Sequence, residues 1–190
     1  MTRLSEDFDY IIQPGWRNSG PTHWQSHWAD KLNAIRVQND NWETPQLEDW
    51  LHGLDRALDQ ARRPAIVIAH SLGCIATAHY ALRHPRRIAG ALLVAPADVE
   101  RAFVPRELMP FAPLPRLPLP FPALVAASDT DPFCQPPRSA RLAGYWGCPI
   151  RWLPGAGHIN VDSGHHQWED GFALLEAVNR RAALHRQLAA

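Results

Sequence analysis

Three kinds of side chain in this sequence could together transfer an acyl group: a serine between small residues, a pair of aspartates and a glycine-flanked histidine. Ser71 stands in Ala69-His-Ser-Leu-Gly73, with a small residue two places to either side. A serine on a tight strand-to-helix turn needs small neighbours, and that turn brings its hydroxyl to a helix N-terminus, where free N–H groups favour negative charge. The same pattern also fits a buried junction whose serine merely caps the helix. A serine hydroxyl attacks a carbonyl only when a base takes its proton, and the base needs an orienting carboxylate. Asp129 and Asp131, in Ser128-Asp-Thr-Asp-Pro132, offer the carboxylate; they are two apart and point in opposite directions if the chain is extended there. His158, in Pro154-Gly-Ala-Gly-His-Ile-Asn160, offers the base, with His165 and His166 farther along and His70 beside the serine as other imidazoles.

These residues need strand ends to hold them, and the hydrophobic pattern supplies candidates. Short apolar runs are expected as strands at Phe8–Ile12, Ala34–Val37, Ala65–Ala69, Ile88–Val94, Ala123–Ala127 and Ile150–Leu153. Helical period fills the gaps. Trp24, Trp28 and Leu32 recur at intervals of four, from a helix expected to begin near Pro21. Leu47, Trp50, Leu51, Leu54 and Leu58 mark a second helix, with Thr44 as N-cap and Pro45 in the first turn. Further helices follow Ser71 as far as His84-Pro85, run from Arg138 to Trp146, and span Trp168 to about Leu188. Alternating strands and helices predict an α/β protein with a mostly parallel sheet and helices on both faces. Ser71, the aspartate pair and His158 then all fall at carboxyl ends of strands, along one edge of the sheet.

Residues 97–122 break the rhythm with seven prolines, too many for regular helix or strand. A segment of this length reads as a lid-like insertion, with Phe103, Leu108, Met109, Phe111 and Leu114 available to cover the serine. The rest is expected to form one domain over residues 1–190.

Composition removes several classes. Nineteen Lys+Arg balance nineteen Asp+Glu, so the basic excess of a nucleic-acid binder is missing. No stretch is long and apolar enough to span a bilayer, and the acidic start Met1–Asp9 lacks the apolar region of a signal peptide. Cys74, Cys134 and Cys148 have no metal-like spacing and suggest free thiols in the cytoplasm. His23 and His27 share the i, i+4 spacing of a zinc pair but lack the glutamate and third ligand, so no metal or other cofactor is expected.

The chain resembles the small serine hydrolases of the α/β-hydrolase superfamily, the retinoblastoma-binding protein 9 and YdeN-like family. The similarity runs through Pro14-Gly-Trp16, Thr22-His-Trp-Gln-Ser26, Asn41-Trp42, Leu47-Glu-Asp-Trp50, Ala69-His-Ser-Leu-Gly73, Ser128-x-x-Asp-Pro132 and Gly157-His-Ile-Asn160. It implies a compact α/β-hydrolase fold with Ser71 as nucleophile, Asp131 as acid and His158 as base, since the family acid immediately precedes a proline. The oxyanion donors it implies are the backbone N–H groups of Leu72 and Trp16, although Pro14-Gly15 stands where many relatives have His-Gly. The expected activity is hydrolysis of small carboxylic esters through an acyl-enzyme, with amide, peptide or thioester substrates next. The family's reputation for partner binding adds a different class, a non-catalytic interaction module with a vestigial site, although no protein partner is indicated by the residues themselves.

Overall fold

A computed structural model describes residues 7–189 of the chain. The acidic start Met1–Asp9 lies mostly outside them. Six strands form one sheet: β1 (Asp9–Gln13), β2 (Ile35–Arg36), β3 (Ala65–His70), β4 (Gly90–Val94), β5 (Ala123–Ala127) and β6 (Ile150–Trp152). They lie in the order β2-β1-β3-β4-β5-β6, and every pairing is parallel. Strand β3 is buried along its whole length, which is why its sequence is a continuous apolar run rather than an alternating one.

Alternation appears instead in which core each side chain enters. Val67, Ala69, Ala91, Leu93 and Val125 pack on one face with α2 (Leu47–Asp59), α3 (Leu72–Arg83) and α4 (Pro136–Tyr145). Ile12, Ile66, Ile68, Leu92 and Val94 pack on the other with α1 (Trp24–Leu32) and α5 (Phe172–Ala189). Period-two placement on parallel strands thus builds two cores from one sheet.

Several boundaries differ from the sequence expectation for physical reasons. Helix α2 begins at Leu47 behind an extended Gln46, not at Thr44 and Pro45. The Asn41 amide claims that corner: its Oδ1 accepts from the N–H groups of Glu43 and Thr44, and its Nδ2 donates to the Thr44 hydroxyl. Helix α1 starts at Trp24, with His23 as the capping residue. Helix α4 starts two residues early because prolines suit a first turn. A single 3₁₀ turn at Glu169–Gly171 leads into α5.

The proline-rich stretch 97–122 holds a 3₁₀ helix at Arg106–Phe111 and packs on the α2–α3 face through Leu108, Phe111, Leu114, Leu119 and Phe121. Two of its expected covering residues lie largely in solvent. Phe103 is fully exposed and Met109 is more than half exposed.

Candidate active site

The strand order reverses between β1 and β3, and the crevice at such a switch point is where open α/β sheets hold ligands. The loop after β1 and the turn after β3 meet there. Ser71 leaves β3 with φ 55° and ψ −122°, a conformation an L-residue rarely adopts, and α3 begins at the next residue. Surrounding contacts enforce it. The Ser71 N–H donates to the Val94 carbonyl (3.0 Å), and the Ser71 carbonyl accepts from Cys74 N–H (3.0 Å).

Two glycines make room for this turn. A Cβ on Gly73 would lie 2.5 Å from the Pro14 carbonyl oxygen and 2.6 Å from that of Gln13, so only glycine lets α3 sit on the end of β1. A Cβ on Gly15 would lie 2.8 Å from the Ser71 Cβ, so the β1 loop touches the serine itself. Gln25, fully buried, ties the loop to the elbow strand: its Nε2 donates to the carbonyls of Gln13 and Ile68, both at 3.1 Å.

His158 reaches the serine from the loop after β6. Its Nε2 is 2.9 Å from Ser71 Oγ, and its Nδ1 is 3.0 Å from each carboxylate oxygen of Asp131. Asp131 and His158 are both buried, and Asp131 Oδ1 also accepts from the Phe133 N–H at 2.8 Å. Asp129 turns the other way. Its carboxylate accepts from Gly155 N–H (2.7 Å) while Thr130 Oγ1 accepts from Gly157 N–H (3.0 Å), so the loop carrying Asp131 holds the loop carrying His158 in place.

Two supports of the histidine were not legible as such. His70 Nε2 lies 2.9 Å from the His158 carbonyl oxygen, and burial keeps the His70 pKa well below the ordinary value. A neutral His70 therefore donates to that carbonyl. The carbonyl of the next residue, Ile159, accepts from Trp24 Nε1 at 2.8 Å, and Ile159 has φ 49°, unusual for a β-branched side chain. The sequence signal for Trp24 is the motif Thr22-His-Trp-Gln-Ser26, which leaves a packing and a substrate-facing role equally open. Neither His165 nor His166 forms a hydrogen bond with Ser71 or Asp131; His165 Nδ1 is 3.2 Å from Ser163 Oγ.

Ser71 and His158 open onto a cavity of about 270 Å³, lined also by Gly15, Trp16, Leu72 and, from the 97–122 stretch, by Ala97, Arg101, Pro105 and Leu108. Leu72 is the first residue of α3, where helix N–H groups lack intrahelical partners. Trp16 directs its indole N–H outward to the Glu43 carbonyl (2.8 Å). Among the described residues no cluster of three or more His, Cys, Asp or Glu is arranged to hold a metal ion, and the His23 Nδ1 is occupied by the N–H of Gln25 (3.1 Å). No helix among them is long and apolar enough to cross a membrane.

The family model described as "Serine hydrolase" matches residues 10–177, from β1 into α5. The chain belongs to the serine hydrolase family. The hydrolase YdeN of Bacillus subtilis (strain 168) is 34% identical over 93 residues, which are 45% of this chain and 48% of YdeN, so the match spans about half of that relative. A YdeN-like hydrolase from Pectobacterium atrosepticum superposes with a TM-score of 0.83 at 30% identity over 93% of each chain. A thermophilic esterase from Thermogutta terrifontis superposes with a TM-score of 0.65 at 15% identity, over 92% of this chain and 90% of its own, a likeness of fold alone. This serine hydrolase has the α/β-hydrolase fold, as its elbow and its all-parallel sheet had suggested.

Proposed function

We propose that the protein hydrolyses small carboxylic esters through an acyl-enzyme, with Ser71 as nucleophile, His158 as base and Asp131 as orienting acid. One observation carries this reading: Ser71 Oγ, the His158 ring and the Asp131 carboxylate form an unbroken hydrogen-bonded line at the wall of the cavity. His158 Nε2 takes the hydroxyl proton as Oγ attacks the carbonyl carbon. Asp131 keeps the other ring proton on Nδ1 and stabilises the imidazolium that forms. The N–H groups of Leu72 and Trp16 hold the tetrahedral oxyanion, and a donor of this kind contributes about 3 kcal/mol at the transition state. The alcohol departs with the proton from Nε2. Water, deprotonated by the same nitrogen, then releases the acid and restores Ser71.

Apart from the ester and a water molecule, the groups this scheme uses are side chains and backbone N–H groups of the chain. Residues 97–122 act as the covering segment of a single domain over 1–190, and unpaired Cys74, Cys134 and Cys148 suit work in a reducing cytoplasm. Amide and thioester bonds are the next substrates by the same scheme.

Hydrolysis of p-nitrophenyl acetate and labelling by a fluorophosphonate probe test the reading together. Wild-type protein should do both, and Ser71→Ala should do neither while keeping its unfolding temperature. Ester turnover that survives in Ser71→Ala would reject Ser71 as the nucleophile.

A further inference from the structure

The cavity beside Ser71 has an uneven set of polar groups. Among the described residues no aspartate or glutamate lines it, whereas Arg17 and Arg101 both do. Arg17 is exposed and already paired with Glu43 (3.2 Å). Arg101 is half-buried, and the carboxylates nearest to it in sequence are committed elsewhere. Arg138 holds Asp98 with two bonds of 2.8 Å, and Glu100 is shared between Arg116 and Arg138. Arg101 has only the Asp98 carbonyl (3.1 Å) and the face of Phe133 (5.5 Å), so its charge is not neutralised by any carboxylate among the described residues.

Three neutral side chains at the same cavity have an acceptor atom engaged by a donor-only partner. His23 Nδ1 accepts from the Gln25 N–H, so the proton of the neutral ring must be on Nε2. Asn160 Oδ1 accepts from the Ser163 N–H (3.2 Å), which turns its Nδ2 away from that bond. Asn18 Oδ1 accepts from Ser19 N–H (2.8 Å) and Arg36 Nη2 (2.7 Å), with the same result. His23 and Asn18 keep only N–H for a ligand, and Asn160 Nδ2 offers a further donor beside them.

We infer that the natural substrate carries a carboxylate close to the scissile carbonyl, bound by Arg101 with the free N–H groups of His23 and Asn160 beside it. This rests on the esterase reading above and narrows it to one substrate class. A guanidinium satisfies a carboxylate through paired, charge-assisted N–H bonds, and neutral donors at the same cavity meet its remaining lone pairs. A protonated amine in that position would find no carboxylate to receive it.

Matched esters test the inference. Mono-p-nitrophenyl glutarate is compared with p-nitrophenyl valerate and p-nitrophenyl 5-aminovalerate, and 3-acetoxybenzoate with phenyl acetate, so that the charge is carried on the acyl or the alcohol side. At low salt at least one anionic ester should exceed its neutral counterpart in kcat/KM by about tenfold, mainly through KM, and the aminovalerate should be the poorest acyl donor. The ratio should fall as sodium chloride is raised, because a half-exposed charge is screened. Arg101→Gln should bring it close to one, and Arg180→Gln, which removes a remote charge on α5, should leave it as in wild type. Neutral esters turned over with no anionic preference, or a preference that Arg101→Gln retains, would overturn the charge inference and leave the esterase reading intact. Failure on every ester would reject the esterase reading and this inference with it.

Discussion

At the scale of the residue, two aspartates in one turn take different work because of what each can reach. Asp131 faces the His158 ring with both oxygens at 3.0 Å, whereas Asp129 accepts a backbone N–H from the base loop. Replacing Asp131 by Asn should therefore leave the serine in place but destroy the ring's correct tautomer, a change that costs roughly four orders of magnitude in kcat in serine proteases. Asp129→Asn keeps an acceptor oxygen for Gly155 N–H and should cost at most a few-fold in p-nitrophenyl acetate turnover, with a fall of about 1 kcal/mol in unfolding free energy. The opposite ranking of the two variants would reassign the acid. The residue pattern alone left this choice open, since alternation says only that the two side chains diverge. Ser71 and His158 were easier to read, because small neighbours and a glycine-flanked imidazole are local signals. The demand on Gly15 was not local: its missing Cβ matters because Ser71, 56 positions later in the chain, turns into that space.

At the scale of the element, the loop carrying His158 is held by a helix that contributes no side chain to the hydrogen-bonded line of Ser71, His158 and Asp131. Trp24, the first residue of α1, is fully buried, and its indole N–H fixes the Ile159 carbonyl just beyond His158. Trp24→Phe keeps an aromatic ring but removes that donor. It should lower kcat by about tenfold with KM little changed, since a misplacement of about 1 Å near the chemistry can cost up to a hundredfold. A variant that lost stability but kept kcat would make Trp24 a core residue only. The strands and most helices were legible because parallel strands buried on both faces read as apolar runs and their helices keep a 3.6-residue period. The start of α2 was not, because the Asn41 amide, three positions before Thr44, captures the hydroxyl that would have capped it. Inside 97–122 composition could not tell Phe111, which is buried against Trp50, from Phe103, which projects into solvent. That distinction depends on which residues the neighbouring helices leave room for.

At the scale of the whole molecule, the two faces of the sheet and the loops along its upper edge enclose two imidazoles, His23 and His70, that burial keeps neutral. His23, His70 and His158 form a chain of rings with centroids 5.0 Å and 4.8 Å apart. Burial, then the positive charge of Arg36 and the nearby His158, hold the His23 pKa down at about 4, and burial lowers His70 in the same direction. The geometry agrees, because a proton on His23 Nδ1 would meet the Gln25 N–H that it now accepts. In the unfolded chain both rings return to the ordinary value of about 6.5. Between that value and about 4 the unfolded chain therefore binds more protons than the folded one, so folding stability is complete above pH 7 and declines as pH falls through the window. For His23 alone the change from 6.5 to about 4 is worth roughly 3 kcal/mol. Urea midpoints measured at pH 7.5 and pH 4.5 should fall accordingly. His23→Asn, which retains a side-chain acceptor for the helix N-terminus but cannot titrate, should reduce the difference between the two pH values. If wild-type midpoints were equal at both pH values, or the variant showed the full wild-type drop, the neutral imidazoles would not be what links this fold to pH.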